Sequence, residues 1–228
     1  MFIYFIIIIN LYNPIKMSIF ESKDYWSTVV ANDEEFDANS ICIDNIDNES
    51  LNKNKIIVSS FKGILRIYEP IFGEYHNEHL LFEKNYEAPI LQIDSGNFVT
   101  NSNEKQLVIL QSKKMIVVKF SNLKGVTQTK TCFEHRLVRN GYNLCLGKIG
   151  GKNYHCIFVQ SIDGCISIYE QESLVNSIVI SEIYLPGSIS FLPKKDCLLV
   201  SNTSYEIECY SFNHLAIAKG DGKFIYNI

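Results

Sequence analysis

The feature that most constrains this chain is a hydrophobic hairpin that is written four times. Residues 55–68 read KIIVSSFKGILRIY, 105–120 KQLVILQSKKMIVVKF, 154–169 YHCIFVQSIDGCISIY and 196–210 DCLLVSNTSYEIECY. Each is a run of β-branched and large apolar residues, a polar turn, and a second such run. Their starts lie 50, 49 and 42 residues apart. That is the period of about 40–50 residues expected of propeller blades. One blade cannot bury both of its faces, whereas blades stacked side by side can, and about 4–8 of them normally close a ring. A Greek-key sandwich also uses short strands but needs no recurrence of one complete unit. No helical period of adequate length separates the strands, which sets aside an alternating strand–helix architecture. The expectation is an all-β chain, a β-propeller of about four blades, either a very small closed ring or the front part of a larger one.

The blades are expected over residues 36–86, 88–137, 142–185 and 188–219. Inner strands fall at 36–47, 88–99, 142–149 and 188–192, and outer strands at 80–84, 131–137, 177–185 and 215–219. Gly63 closes the first hairpin turn with a positive φ. Asp163-Gly164 is the clearest of the turns and is expected to be exposed, with Cys156, Ile157, Phe158 and Val159 buried. Residues 223–228 (KFIYNI) read as the opening of a fifth blade.

Hydrophobic residues at 46% and charged residues at 20% describe a folded domain. The net charge of −4 and the lack of a basic cluster exclude a phosphate-tracking surface, so nucleic acid is not an expected partner. Seven cysteines occur, an odd number without a CxxC pair, and most sit inside apolar runs. They read as buried free thiols in a reducing compartment. Zinc would need distant cysteines to converge with His135 or His155.

Residues 1–16 (MFIYFIIIINLYNPIK) form a hydrophobic N-terminal extension distinct from the domain expected over 17–228. The apolar run is too short to span a bilayer as a helix, and it lacks the basic region and cleavage site of a signal peptide. Three readings fit it: a gene-model extension with Met17 as the start, a membrane-associating segment, or a strand added to the sheet. Domain-like sequence beginning at Met17 favours the first.

Motifs that would carry chemistry fail on context. GKIGGK (147–152) lacks the pattern and the strand-to-helix setting of a phosphate loop and reads as a turn. His76 and His79 in YHNEH, flanked by Glu74 and Glu78, have ligand spacing on a short helix but fit a polar loop better. Asp94-Ser95-Gly96-Asn97 lacks the later acidic ligands of a calcium loop. No GxSxG elbow occurs. His135, His214 and the pairs Asp33/Glu35 and Asp44/Asp47 sit in ordinary strand and loop settings. No catalytic, cofactor or metal residue is named, and the chain is read as not an enzyme. Tyr25 and Trp26 stand out in 18–30 (SIFESKDYWSTVV), a stretch that suits a short helix or an edge strand. Large aromatics suit core packing over the first blade. With Glu21, Lys23 and Asp24 as a polar rim, they are also a candidate docking anchor.

Residues 17–37 (MSIFESKDYWSTVVANDEEFD), with a DxWS-like core at Asp24–Thr28, resemble the opening of the Bardet–Biedl syndrome protein 9 family, the parathyroid-hormone-responsive protein family. The likeness continues at Lys55–Ile57, Ser59, Ser60, Gly63 and Leu65–Ile67. It returns at Pro89, Leu91, Gln92, Gly96, Phe98 and Val99, then at Gln160, Ser161, Asp163, Gly164 and YEQES (169–173), and at LPG (185–187). The order and spacing of these blocks cover nearly all of 17–212 but not 1–16. The resemblance implies an interrupted seven-bladed propeller. It implies a non-catalytic scaffold subunit of the BBSome, a coat-like complex that moves membrane-protein cargo to and from cilia. The implied partners are the other BBSome subunits and, indirectly, an ARF-like small GTPase and ciliary cargo. The implied location is cytoplasmic, at cilium and basal body, peripheral to the ciliary membrane through the complex. The alternatives are a propeller interaction module in another vesicle or signalling complex and, less well supported, an enzyme on a small propeller.

Overall fold

The computed structural model describes residues 26–71, 76–121, 128–179, 186–202 and 204–211. Within them fifteen strands form four antiparallel sheets, each a meander of consecutive neighbours. Blade 1 holds β1 (Ile41–Asp44), β2 (Lys55–Ser59), β3 (Ile64–Tyr68) and β4 (Leu80–Asn85). Blade 2 holds β5 (Ile90–Gly96), β6 (Gln106–Gln111), β7 (Lys114–Ser121) and β8 (Gln128–Arg136). Blade 3 holds β9 (Gly141–Gly147), β10 (Cys156–Ser161), β11 (Cys165–Glu170) and β12 (Ser173–Val179). Blade 4 shows β13 (Ile189–Leu192), β14 (Cys197–Ser201) and β15 (Ile207–Ser211). The fold is a partial β-propeller, and the four repeated hairpins are its second and third strands.

The continuous apolar runs follow from burial on both faces of a middle strand. On β10, Cys156 and Phe158 pack toward Leu198 and Val200 of blade 4, while Ile157 and Val159 pack toward Val108 and Leu110 of blade 2. On β6, Leu107 and Ile109 turn the other way, to Ile57, Leu65 and Ile67 of blade 1. All four of Cys156–Val159 are at most 3% exposed. Each fully buried large apolar side chain contributes about 1.5–3 kcal/mol, so the inter-blade seams hold most of the stability.

Hydrogen bonds between neighbouring blades add register to this packing. Near the ring axis the Ile93 amide donates to the Asn39 carbonyl (3.1 Å). Gln92 clasps both backbone groups of Leu144, donating at 2.9 Å and accepting at 2.8 Å. The Asn143 side chain donates to the Gly187 carbonyl (2.7 Å). Further out, Asn97 and His155 exchange two bonds, and the Gly150 amide donates to Asp196 (3.0 Å).

Gly63 shows why its turn needs glycine. Its φ is +85°, and a Cβ there would lie 2.5 Å from the Ala88 carbonyl oxygen. That oxygen accepts from the Gln111 side chain at 2.8 Å.

Some expectations shift. Gly164 is buried, and the exposed tip of its turn is Ile162–Asp163. Its amide folds back onto the Ser161 carbonyl (3.0 Å), and with no side chain it leaves little surface outside. The inner strand of blade 1 starts only at Ile41, because an Asp37–Ser40 turn, tied by side-chain bonds from both residues, precedes it. The outer strands of blades 2 and 3 begin earlier than expected, at Gln128 and Ser173. Residues 26–30 are neither helix nor strand. Residues 1–16, Tyr25, His214, the strand expected at 215–219 and residues 223–228 lie outside the described residues.

Candidate docking surface

Blade 1 has one face against blade 2 and one face turned away from it. Alternation along the strands puts Cys42, Ile57, Leu65 and Ile67 on the first face. The cross-strand partners Ile41↔Val58, Ile43↔Ile56, Ile56↔Tyr68 and Val58↔Arg66 define the second. Residues 26–37 run along that second face as a strap.

Trp26 anchors the strap. Its ring lies 5.8 Å from the Tyr68 ring, and its indole N–H donates to His79 Nδ1 at 2.9 Å. His79 is 4% exposed and sits on a single helical turn, Asn77–His79, with the His76 ring edge-on at 5.5 Å. The two histidines are therefore engaged in packing and hydrogen bonding. Trp26 is half-buried, so part of its ring stays accessible.

Glu34 clamps the strap further along. Its carboxylate accepts both terminal nitrogens of Arg66, at 2.9 and 2.8 Å, and Arg66 Nε donates to Glu83 at 2.6 Å. The bidentate bond to Arg66 holds the Glu34 carboxyl below its usual range, and the same bond raises the guanidinium. Lys62 pairs with Asp33 beside it, and the Phe61 amide donates to the Glu35 carbonyl at 3.0 Å.

The inner part of this face is open. Ile41 and Ile43 are 53% and 59% exposed. Next to it, where the inner strands begin, lies a cavity of about 390 Å³. Asn39, Gln92, Tyr142, Asn143 and the residues 186–189 line it, and none of them is charged. It has the chemistry to hold uncharged peptide or loop, with no acid–base pair for catalysis.

The other candidates are accounted for by structure. GKIGGK contains the end of β9 and a single turn at Ile149–Gly151 with Gly150 and Gly151 at positive φ. Asp94–Gly96 belong to β5. His135 bonds the Gln171 carbonyl at 2.6 Å and joins blade 2 to blade 3. Among the described residues no group of three or more His, Cys, Asp or Glu is placed to hold a metal ion, and all seven cysteines are free thiols. No helix among them is long and apolar enough to cross a membrane. Sequence reasoning missed Glu34 and Arg66. Their separation of 32 residues leaves no local pattern.

A family model described as PTHB1 N-terminal matches residues 17–224. Protein PTHB1 of Mus musculus is 35% identical over 213 residues, covering 89% of this chain. The chain spans 24% of that relative's length. Among solved structures, one of BBS1N in complex with ARL6DN superposes with a TM-score of 0.57 at 13% identity, over 75% of this chain and 53% of that one. The β-propeller domain of Cps50 (Swd1) from Myceliophteria thermophila gives 0.52 at 13% identity, over 69% and 50%. At such identities these two speak for the fold.

Proposed function

From the premise that the chain belongs to the PTHB1 family, we propose that it is the propeller portion of a non-catalytic scaffold subunit of the BBSome. In this reading the complex carries membrane-protein cargo to and from cilia. The protein works from the cytoplasm at basal body and cilium, peripheral to the membrane. Its direct partners are other BBSome subunits, and an ARF-like small GTPase acts through the complex. The match over 17–224 carries the reading. The domain is assigned to residues 17–228, with 1–16 as an extension outside it.

The site geometry suits a scaffold. Conserving its shape takes inter-blade clasps and a clamped strap, and its open apolar strip and uncharged cavity offer surfaces for protein contact. Docking is assigned to Tyr25, outside the described residues, and to Trp26 on the strap, where the accessible part of the indole is an aromatic anchor of the kind interfaces favour. The test is affinity purification of the endogenous protein from ciliated cells, followed by mass spectrometry. Co-recovery of BBSome subunits is expected. Repeated recovery of a different stable complex without any of them refutes the proposal. Trp26→Ala is expected to weaken that recovery while the fold persists by circular dichroism.

A further inference from the structure

Blade 4 contains a cysteine pair that neither the fold nor the scaffold reading uses. In the β14–β15 register, Cys209 lies opposite Leu199 and Cys197 opposite Ser211. Cys197 and Cys209 are thus diagonal neighbours, and the period of two puts them on one face. That face is the one turned away from blade 3, since Leu198, Val200 and Tyr210 point the other way. The two sulfurs are 3.0 Å apart. No other cysteine among the described residues has a cysteine within hydrogen-bonding reach; Cys165, for example, meets the Ser177 hydroxyl instead.

We propose that Cys197 and Cys209 form an oxidisable dithiol, a modification site that closes to a cross-strand disulfide and staples β15 to β14. The sulfurs must close from 3.0 Å to the bond length of about 2.05 Å. Diagonal neighbours sit about 7–8 Å apart along their backbones, so β14 and β15 must also draw together as the bond forms. A peroxide is the oxidant. The Cys209 sulfur, the more exposed of the two, attacks one peroxide oxygen. The O–O bond breaks, a sulfenic acid forms, and one water leaves. The Cys197 sulfur then displaces the sulfenic oxygen as a second water. Two thiols lose two protons and two electrons, and one hydrogen peroxide becomes two waters. Burial, followed by the neighbouring Cys209, pushes the Cys197 thiol up to about 11, so the thiolate that closes the bond is scarce at neutral pH and this closing step quickens as pH rises. A reductant reverses the bond by thiol exchange. The inference does not depend on the assignment to any complex.

The test treats the intact chain, with any subunits that accompany it, with hydrogen peroxide over a pH series. Remaining thiols are blocked and the digest is mapped without reduction. The expected result is a Cys197–Cys209 cross-linked peptide, lighter by two hydrogens, that a thiol reductant dissolves. Cys197→Ser and Cys209→Ser should each reduce it to background, and Cys165→Ser should leave it at the level of the unmodified chain. A circular dichroism spectrum confirms that each variant is folded. Oxidation of Cys209 alone to sulfinic acid, a disulfide with any other cysteine, or seven unchanged thiols would each overturn the proposal.

Discussion

Removing Arg66 should destabilise the chain more than removing Glu34, and removing both should restore part of the loss. The side chains of Glu34 and Arg66 are only 4% and 10% exposed. Replacing Arg66 with Met keeps much of the packing but leaves the Glu34 carboxylate shielded from water with no counter-ion, at a cost of about 3–5 kcal/mol. Glu34→Gln is milder, because Arg66 keeps its 2.6 Å bond to Glu83, which is half exposed. Losing one charge-assisted contact costs about 1.5–3 kcal/mol. The double variant leaves no buried charge unpaired, only the half-exposed Glu83, so it should be more stable than Arg66→Met alone. The pH response adds a second signature. In the unmodified chain the Glu34 carboxyl is held below its ordinary value of 4.5. Its stabilisation is therefore complete above pH 4.5 and is lost as pH falls through the depressed folded value. In Arg66→Met the stranded carboxyl prefers its proton, so acidification should relieve the damage. Urea unfolding followed by circular dichroism gives the global stability. The single tryptophan, Trp26, reports the strap by its emission. A double variant as unstable as Arg66→Met, with the same acid response, would refute the account of a buried clamp.

Other perturbations test other links. Gly63→Ala must place a β-carbon at φ +85° and 2.5 Å from the Ala88 oxygen, and thermal melts should show a loss of more than the ~1–2 kcal/mol of left-handed strain alone. Lys55→Met strands Asp47 and Glu49, which now sit 2.8 and 2.9 Å from a fully buried ammonium, so a loss of about 3–5 kcal/mol is expected in denaturant titration. His155 accepts the Asn97 amide at 3.1 Å, and burial holds its imidazole below the ordinary value of 6.5. The blade 2–3 seam should therefore be fully stable above pH 6.5 and weaken as pH falls from there through the lower folded value, a slope that His155→Gln should flatten in unfolding measured across pH. Ile41→Lys with Ile43→Lys should reduce self-association in light scattering, and removing residues 1–16 should reduce it further.

Blade count and blade order were legible because a strand that packs on both faces carries consecutive apolar residues. That makes the runs inside KIIVS, QLVILQ and CIFVQS visible without any contact information. The inner and outer strands were blurred for the opposite reason. On β12 most side chains are exposed, so SLVNSIV carries no sharp pattern, and its start was displaced by four residues from the expected 177. The site was less legible still. Trp26 stood out with Tyr25 as a large aromatic in residues 18–30, but His79, its hydrogen-bond acceptor, lies 53 residues away. Such a pairing depends on how blade 1 folds, and no local spacing announces it. The same holds for Asn39, Gln92 and Asn143, which line one cavity although they come from three different blades.

The strap gives Trp26 two duties that one substitution would confound. Its indole stabilises the turned-away face of blade 1, where the Tyr68 ring is 3% exposed beneath it. The accessible part of the same ring is the proposed docking anchor. A loss of partner binding in Trp26→Ala would follow from either duty. Trp26→Phe separates them. It keeps an aromatic body against Tyr68 but cannot donate to His79, a net loss of about 0.5–1.5 kcal/mol for one hydrogen bond. If the ring itself is the anchor, Trp26→Phe should lose stability yet keep most partner recovery. If strap order is what partners recognise, Glu34→Gln should lower recovery as Trp26→Phe does, although Glu34 lies at a separate contact with blade 1. Equal recovery by Trp26→Ala and the unmodified chain would remove docking from the strap and leave it the structural duty alone.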